Sequence, residues 1–411
     1  FAQGAGTGTT TLDGAMTTTD VNGVNIATDS IAVNAGINTT TGAGVVVLNA
    51  SDTLTIAAAG DINSGDVVTL TATNGIATAG DITSADTVTF VSETVLTGDV
   101  SITANGGNII FSDTLDTDAG ENLTLTAAAG DINFNGAVGS DVVSDLGAIL
   151  INNATNVIAV SIDAESFTQT AGTGTTTFGG AVNTTGAAGV NVTTAGIALN
   201  NTIDTANGGT VTLTADTNAV TIAAGGDITS DGAVTLTGTT GISTAGDITT
   251  TDDDVTFASA TVLTGAVAID SGATGGDIAF NGNVTGARNL TLDAGTAGAI
   301  TAGLMTVNDL TITDAASLSV TGNLTANDLI TTNGTATTVS LTGSANSFVN
   351  QVDFLNSGNV ILGDGGGDTF LFTGGLAFTG GSTNNLDSAI SSVGTDINFG
   401  AGGTTLDGNT S

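Results

Sequence analysis

The ten residues TIAAAGDINS at Thr55 return as TIAAGGDITS at Thr221, 166 positions on, and FAQGAGTGTTT at Phe1 returns with the same offset as FTQTAGTGTTT at Phe167. TVLTGDVSI at Thr94 matches TVLTGAVAI at Thr261, where the offset has grown to 167. A long module therefore occurs twice, over 1–166 and 167–303, with one residue inserted in the second copy. Residues 304–411 diverge from it until GGTTLDG near 404, which echoes the GTTTLDG ending at Gly14 and reads as the start of a further module. Repetition on this scale restricts the chain to architectures that stack one unit on the next.

A shorter period lies inside the module. VTLTA at Val68 and Val211, LTLTA at Leu123 and VTLTG at Val234 alternate apolar residues with Thr, the period of two of a strand with one buried face. Gly, Asn or Asp follows each run, as at turns. Apolar runs begin near Val211, Val220, Ile228, Val234, Ile242, Ile248, Val255 and Val262. Three such intervals make one coil of about 21 residues, and that spacing predicts an all-β parallel β-helix, or β-solenoid, of three short strands per coil. About 20 coils at about 4.8 Å each would span about 95 Å, and parallel crossovers favour the right hand. Phenylalanine keeps the same spacing at Phe90, Phe111 and Phe134, at Phe257 and Phe280, and at Phe354, Phe378 and Phe399, which predicts internal aromatic stacks.

Composition narrows the chemistry. The chain has one Arg and no Lys, His, Cys, Pro, Trp or Tyr, with a net charge of −38. Phosphate neutralisation requires clustered cations, so nucleic acid and anionic membrane surfaces are excluded as partners. Thr or Gly interrupts every hydrophobic run well short of a spanning helix. Carbohydrate-cleaving β-helices need a base or charge stabiliser beside the sugar, and sugar grooves normally carry aromatic platforms. Arg288 is the one side chain cationic at neutral pH, and the expectation is a surface charge paired with a nearby Asp, in a non-catalytic protein. No apolar signal segment precedes Phe1, so any signal peptide would lie ahead of it.

The recurring GTTTFGG, VTLTA, AAGGDIT and TVLTG segments, spread over nearly the whole chain, resemble the β-strand-repeat regions of large bacterial surface proteins, the filamentous-haemagglutinin-like adhesins. The resemblance implies secretion, a cell-surface or extracellular location and a right-handed β-helical shaft.

The acidic residues supply the candidate sites. Gly-Asp-Ile recurs at Asp61, Asp81, Asp131, Asp227, Asp247 and Asp277, with Thr395-Asp396-Ile397 as a variant. At one coil per period, Asp61 and Asp81 stack. One reading is a ladder that binds calcium through carboxylate and backbone oxygens. The other, which we prefer, is that Asp accepts local backbone N–H groups in its turn, because two exposed charges about 5 Å apart repel by only about 0.8 kcal/mol in water. Asp252, Asp253 and Asp254 cluster at the turn that carries the extra residue. GDGGGDTFLF, with Asp364 and Asp368, resembles one degenerate repeat of the calcium-binding repeats-in-toxin type. These residues are the calcium candidates, and no other cofactor is implied.

The Thr-x-Thr pairs at Thr69 and Thr71, Thr124 and Thr126, Thr212 and Thr214, and Thr235 and Thr237 raise ice binding as a remote reading. The leading expectation is an extracellular structural shaft whose copies or continuing modules meet end to end, with lateral bundling through divalent cations. The alternative is an adhesin segment that binds glycans or cells. Both ends of the sequence read as module openings without a capping element, which is the expectation behind the end-to-end contact.

Overall fold

The computed structural model describes residues 1–140, 145–332, 335–381, 383–393, 395–400 and 402–406. The echo of the module start runs on to Gly408, so its last residues lie outside the described ones. The chain divides into two compact units, Phe1–Gly209 and Thr210–Ser411, each a parallel β-solenoid. The second sequence copy, beginning at Phe167, starts inside the first unit. Among the described residues the one helical element is a 3-10 turn at Thr40–Gly42.

Over the first six coils of the first unit each strand pairs with the strand three elements on, so three walls grow side by side; between Leu123–Ala127 and Val182–Thr184 the step is two, because the long strands Leu146–Asn153 and Ile162–Gln169 span a corner. One wall joins Val46–Ala50, Val68–Ala72, Val88–Phe90, Ile109–Phe111 and Ile132–Phe134, with Val46, Val68, Val88, Ile109 and Ile132 in register. A second joins Leu54–Ile56, Ile76–Thr78, Thr94–Leu96 and Leu115–Thr117. The third joins Ile62–Ser64, Ile82–Ser84, Val100–Ala104 and Leu123–Ala127. The second unit repeats the scheme, for example through Val234–Gly238, Val255–Phe257, Ile278–Phe280 and Ala299–Ala302. Taken together the two units hold about 19 turns.

The strand alternation explains the core. In Val68–Ala72, Val68, Leu70 and Ala72 are buried while Thr69 and Thr71 are half-buried on the outer face. A slip of one residue would carry the whole apolar set outside, so the pattern fixes the register. The expected phenylalanine stacks are present. Ring centroids lie 4.8 Å apart for Phe90–Phe111, 5.5 Å for Phe111–Phe134, 4.8 Å for Phe257–Phe280, 5.2 Å for Phe354–Phe378 and 6.1 Å for Phe378–Phe399. Each stacked pair contributes about 0.5–1.5 kcal/mol beyond its buried area. A further stack joins Phe348 to Phe372 at 5.0 Å, and Phe167 meets Phe178 edge-on.

The segment that diverges in sequence keeps the architecture. Asp309–Asp314 pairs with Asp328–Thr331, and Ser317–Val320 with Thr338–Leu341. Its inward Leu310, Ile312, Leu318, Val320, Val339 and Leu341 are buried, so the segment has the same apolar inner face.

Candidate site: carboxylates at the coil turns

At a turn the chain leaves one wall for the next, and the amide just before the new strand needs an acceptor. The residue at this position is repeatedly Asp or Asn followed by the first apolar residue of the strand. Its backbone carbonyl serves the preceding coil: Ile62 N donates to Asp81 O at 2.9 Å, and Ile228 N to Asp247 O at 2.9 Å. Its side chain serves the following one. Asp61 Oδ1 accepts the N–H of Asp81 at 3.0 Å, and Asp81 Oδ1 that of Ser101 at 2.8 Å. In the second unit Asp227 accepts from Asp247 N at 2.9 Å, Asp247 from Ala268 N at 2.7 Å, and Asp277 from Ala299 N at 2.7 Å. Asp131 accepts from Asn156 N at 3.0 Å. All six Gly-Asp-Ile carboxylates therefore take a donor 20 to 25 residues ahead. The sequence expectation of acceptance within the same turn is corrected: the bond crosses to the next coil, because the side chain leans along the stacking axis where that coil's amide lies.

This geometry accounts for acid stacked on acid. A hydrogen bond contributes about 0.5–1.5 kcal/mol net. Repulsion between neighbouring exposed carboxylates is about 0.8 kcal/mol and weakens in salt. In salt the hydrogen bond prevails.

Asparagine fills the same position without charge. Asn108 Oδ1 accepts from Asp131 N at 2.8 Å, and Asn156 Oδ1 from Thr175 N at 2.8 Å, so Asn108, Asp131 and Asn156 form one relay. Asp99 and Asn122 do likewise toward Asn122 N and Ala148 N, both at 2.8 Å. The Gly-Asp-Ile pattern does not cover these asparagines or Asp99. The broader signal is Asx directly before a strand's first Ile, Val or Leu. A separate asparagine ladder runs from Asn289 through Asn308 to Asn327 by side-chain bonds of 2.6 Å, foreshadowed by the repeated NDL at 308 and 327.

In the Asp252–Asp254 cluster the carboxylates of Asp252 and Asp254 take different donors. Asp252 adopts a left-handed backbone, φ 61°, which absorbs the inserted residue, and its Oδ1 accepts Thr274 N at 2.7 Å. That backbone bond, with the Thr274 side chain, holds its carboxyl below the ordinary carboxylate range. Asp254 Oδ1 accepts Asp277 N at 2.9 Å. Asp253 differs, for burial pushes its carboxyl up, and Asp231, Asp254 and Asp252 add repulsion in the same direction. Among the described residues no three acidic side chains come close enough to share an ion.

At the Gly-rich loop Asp368 is buried and its Oδ2 accepts Asp364 N at 2.9 Å, while Asp364 is exposed. Arg288 donates its Nε to the Thr264 carbonyl at 3.1 Å, so backbone holds it in place of the expected Asp. Thr212 and Thr214 face Thr235 and Thr237, Thr124 and Thr126 face Ser101 and Thr103, and Thr103 faces Thr83 on the coil before. On the next coil beyond Thr235 the column continues as Thr256 alone.

Compared with known proteins, the chain matches no family model, and neither a curated sequence nor a solved structure is significantly similar to it.

Proposed function

We propose that this chain is a non-catalytic structural shaft of an extracellular bacterial fibre, of the kind its repeats resemble. The observation that carries the reading is the use of the turn carboxylates. All six Gly-Asp-Ile side chains bind the amide of the next coil, so the groups best suited to surface chemistry serve cohesion between coils. The absence of His, Lys and Cys from the sequence supports the same reading, since these supply most bases and nucleophiles. Successive coils in each unit present similar parallel donors and acceptors, which suits copies or continuing modules that meet end to end in a heterologous contact.

The test is electron microscopy of the purified chain across a concentration series, with binding to a glycan panel measured in parallel. Ordered filaments without ligand are the expected result. Dispersed particles at high concentration, together with saturable binding to one glycan class, would replace the shaft by an adhesin.

A further inference from the structure

Leu362 pairs with Leu386, and Thr369 with Ala389. Between these two rungs one coil carries the six residues 363–368 and the next only Asp387 and Ser388. The surplus forms a loop, Gly363 to Asp368, whose base faces that pair. Gly363 takes a left-handed backbone, φ 87°, and a Cβ built on it would fall 2.9 Å from Ser388 Cβ, so Ser388 lies against the base of the loop. At the other end of the base Asp368 O accepts Ala389 N at 2.8 Å. Asp368 is 8% exposed and Ser388 1%. Asp387 Oδ1 and Ser388 Oγ are both buried, and neither meets a hydrogen-bond partner among the described residues. Burying such groups unsatisfied costs free energy, so two at one point call for a partner such as a water or an ion.

We propose that the base of the 363–368 loop is a calcium site formed by Asp368, Asp387 and Ser388, completed by carbonyl oxygens of the loop. The two carboxylates border a loop that carries Gly363, Gly365, Gly366 and Gly367, and the sequence has no His or Cys to offer nitrogen or sulfur. An all-oxygen set of irregular geometry suits calcium, whereas magnesium demands a near-ideal octahedron and zinc or copper favour nitrogen and sulfur. The sequence pattern pointed to Asp364 and Asp368. The structure adds Asp387 and Ser388 from the following coil and leaves the Asp364 side chain outside.

Hydrogen exchange read by mass spectrometry on the full chain tests this, in calcium, magnesium and sodium at equal ionic strength. With calcium a hundredfold above its Kd, openings of the loop base should be suppressed about a hundredfold. Slowing confined to peptides spanning 362–370 and 386–389 is expected, and it should be lost in Asp387→Asn and weakened in Ser388→Ala but kept in the remote control Asp61→Asn. Circular dichroism confirms that the variants fold. Wild-type protein with no localised slowing, or slowing that sodium reproduces, would overturn the site whatever the variants do. So would slowing that survives intact in both loop-base variants, which would leave only diffuse binding to the acidic surface.

Discussion

Two acidic columns in the second unit stack carboxylates on successive coils and differ in where the donors come from. In the Asp227–Asp247 column each Oδ1 takes an amide of the next coil, from Asp247 and Ala268. In the Asp270–Asp293–Asp314 column the residues stand in register, but Asp270 and Asp293 accept from their own turns, from Gly272 N at 2.9 Å and Gly295 N at 3.0 Å. Burial pushes the Asp293 carboxyl up, and its neighbours Asp270 and Asp314 add to the rise, only partly offset by the Gly295 amide. The first arrangement gains cohesion between coils from every acceptor oxygen. The second satisfies each turn separately and leaves the repulsion between coils uncompensated. Like charge therefore stacks at little cost where the following coil supplies the donor.

The largest effect is expected at Asp247. Asp247→Ala removes the acceptor for Ala268 N and should cost about 1 kcal/mol in denaturant unfolding, as loss of a comparable cap does. Asp247→Asn keeps an acceptor oxygen and should stay within about 0.5 kcal/mol of wild type, as the natural Asn108 and Asn156 do the same work. Equal losses in the two variants would show that charge, and not the hydrogen bond, holds this turn.

The opposite sign is expected in the other column. Because the Asp293 carboxyl is raised in the folded chain, its ionisation opposes folding: its stability contribution is complete below the ordinary carboxylate range and is lost as pH rises through the folded value. Asp293→Asn should thus raise the melting temperature at pH 7, by less than the change at Asp247 because the site is partly solvated. The gain should vanish below about pH 4. A destabilised Asp293→Asn at neutral pH would mean that this column is held by something its own turns do not provide.

Much of this was legible in the sequence, for a physical reason. Phe90, Phe111 and Phe134 announce the coil because large rings inside a narrow solenoid must sit on one another, and the coil length is then written into their spacing. Thr alternation gave the strand faces in the same way. The Phe167–Phe178 contact was not legible, since it joins rings 11 residues apart that no coil period relates. The direction of the turn carboxylates was hidden too. Asp293, which bonds two residues ahead, closes a strand, whereas Asp61, which bonds 20 residues ahead, stands just before one, and that difference becomes readable only once the strand boundaries are known. At Asp252–Asp254 adjacency suggested a joint site, yet the left-handed backbone at Asp252 and the separate donors divide the three.

The most direct measurement of the central claim is the thermal stability of one variant with Asn at all six Gly-Asp-Ile positions, 61, 81, 131, 227, 247 and 277, compared with wild type at low ionic strength. Asn preserves the acceptor oxygen for the next coil and removes the stacked charge. The expected melting temperature equals that of wild type or exceeds it, with the difference shrinking as salt is added. A marked fall in melting temperature would contradict it, by showing that these turns depend on the charge of the carboxylates.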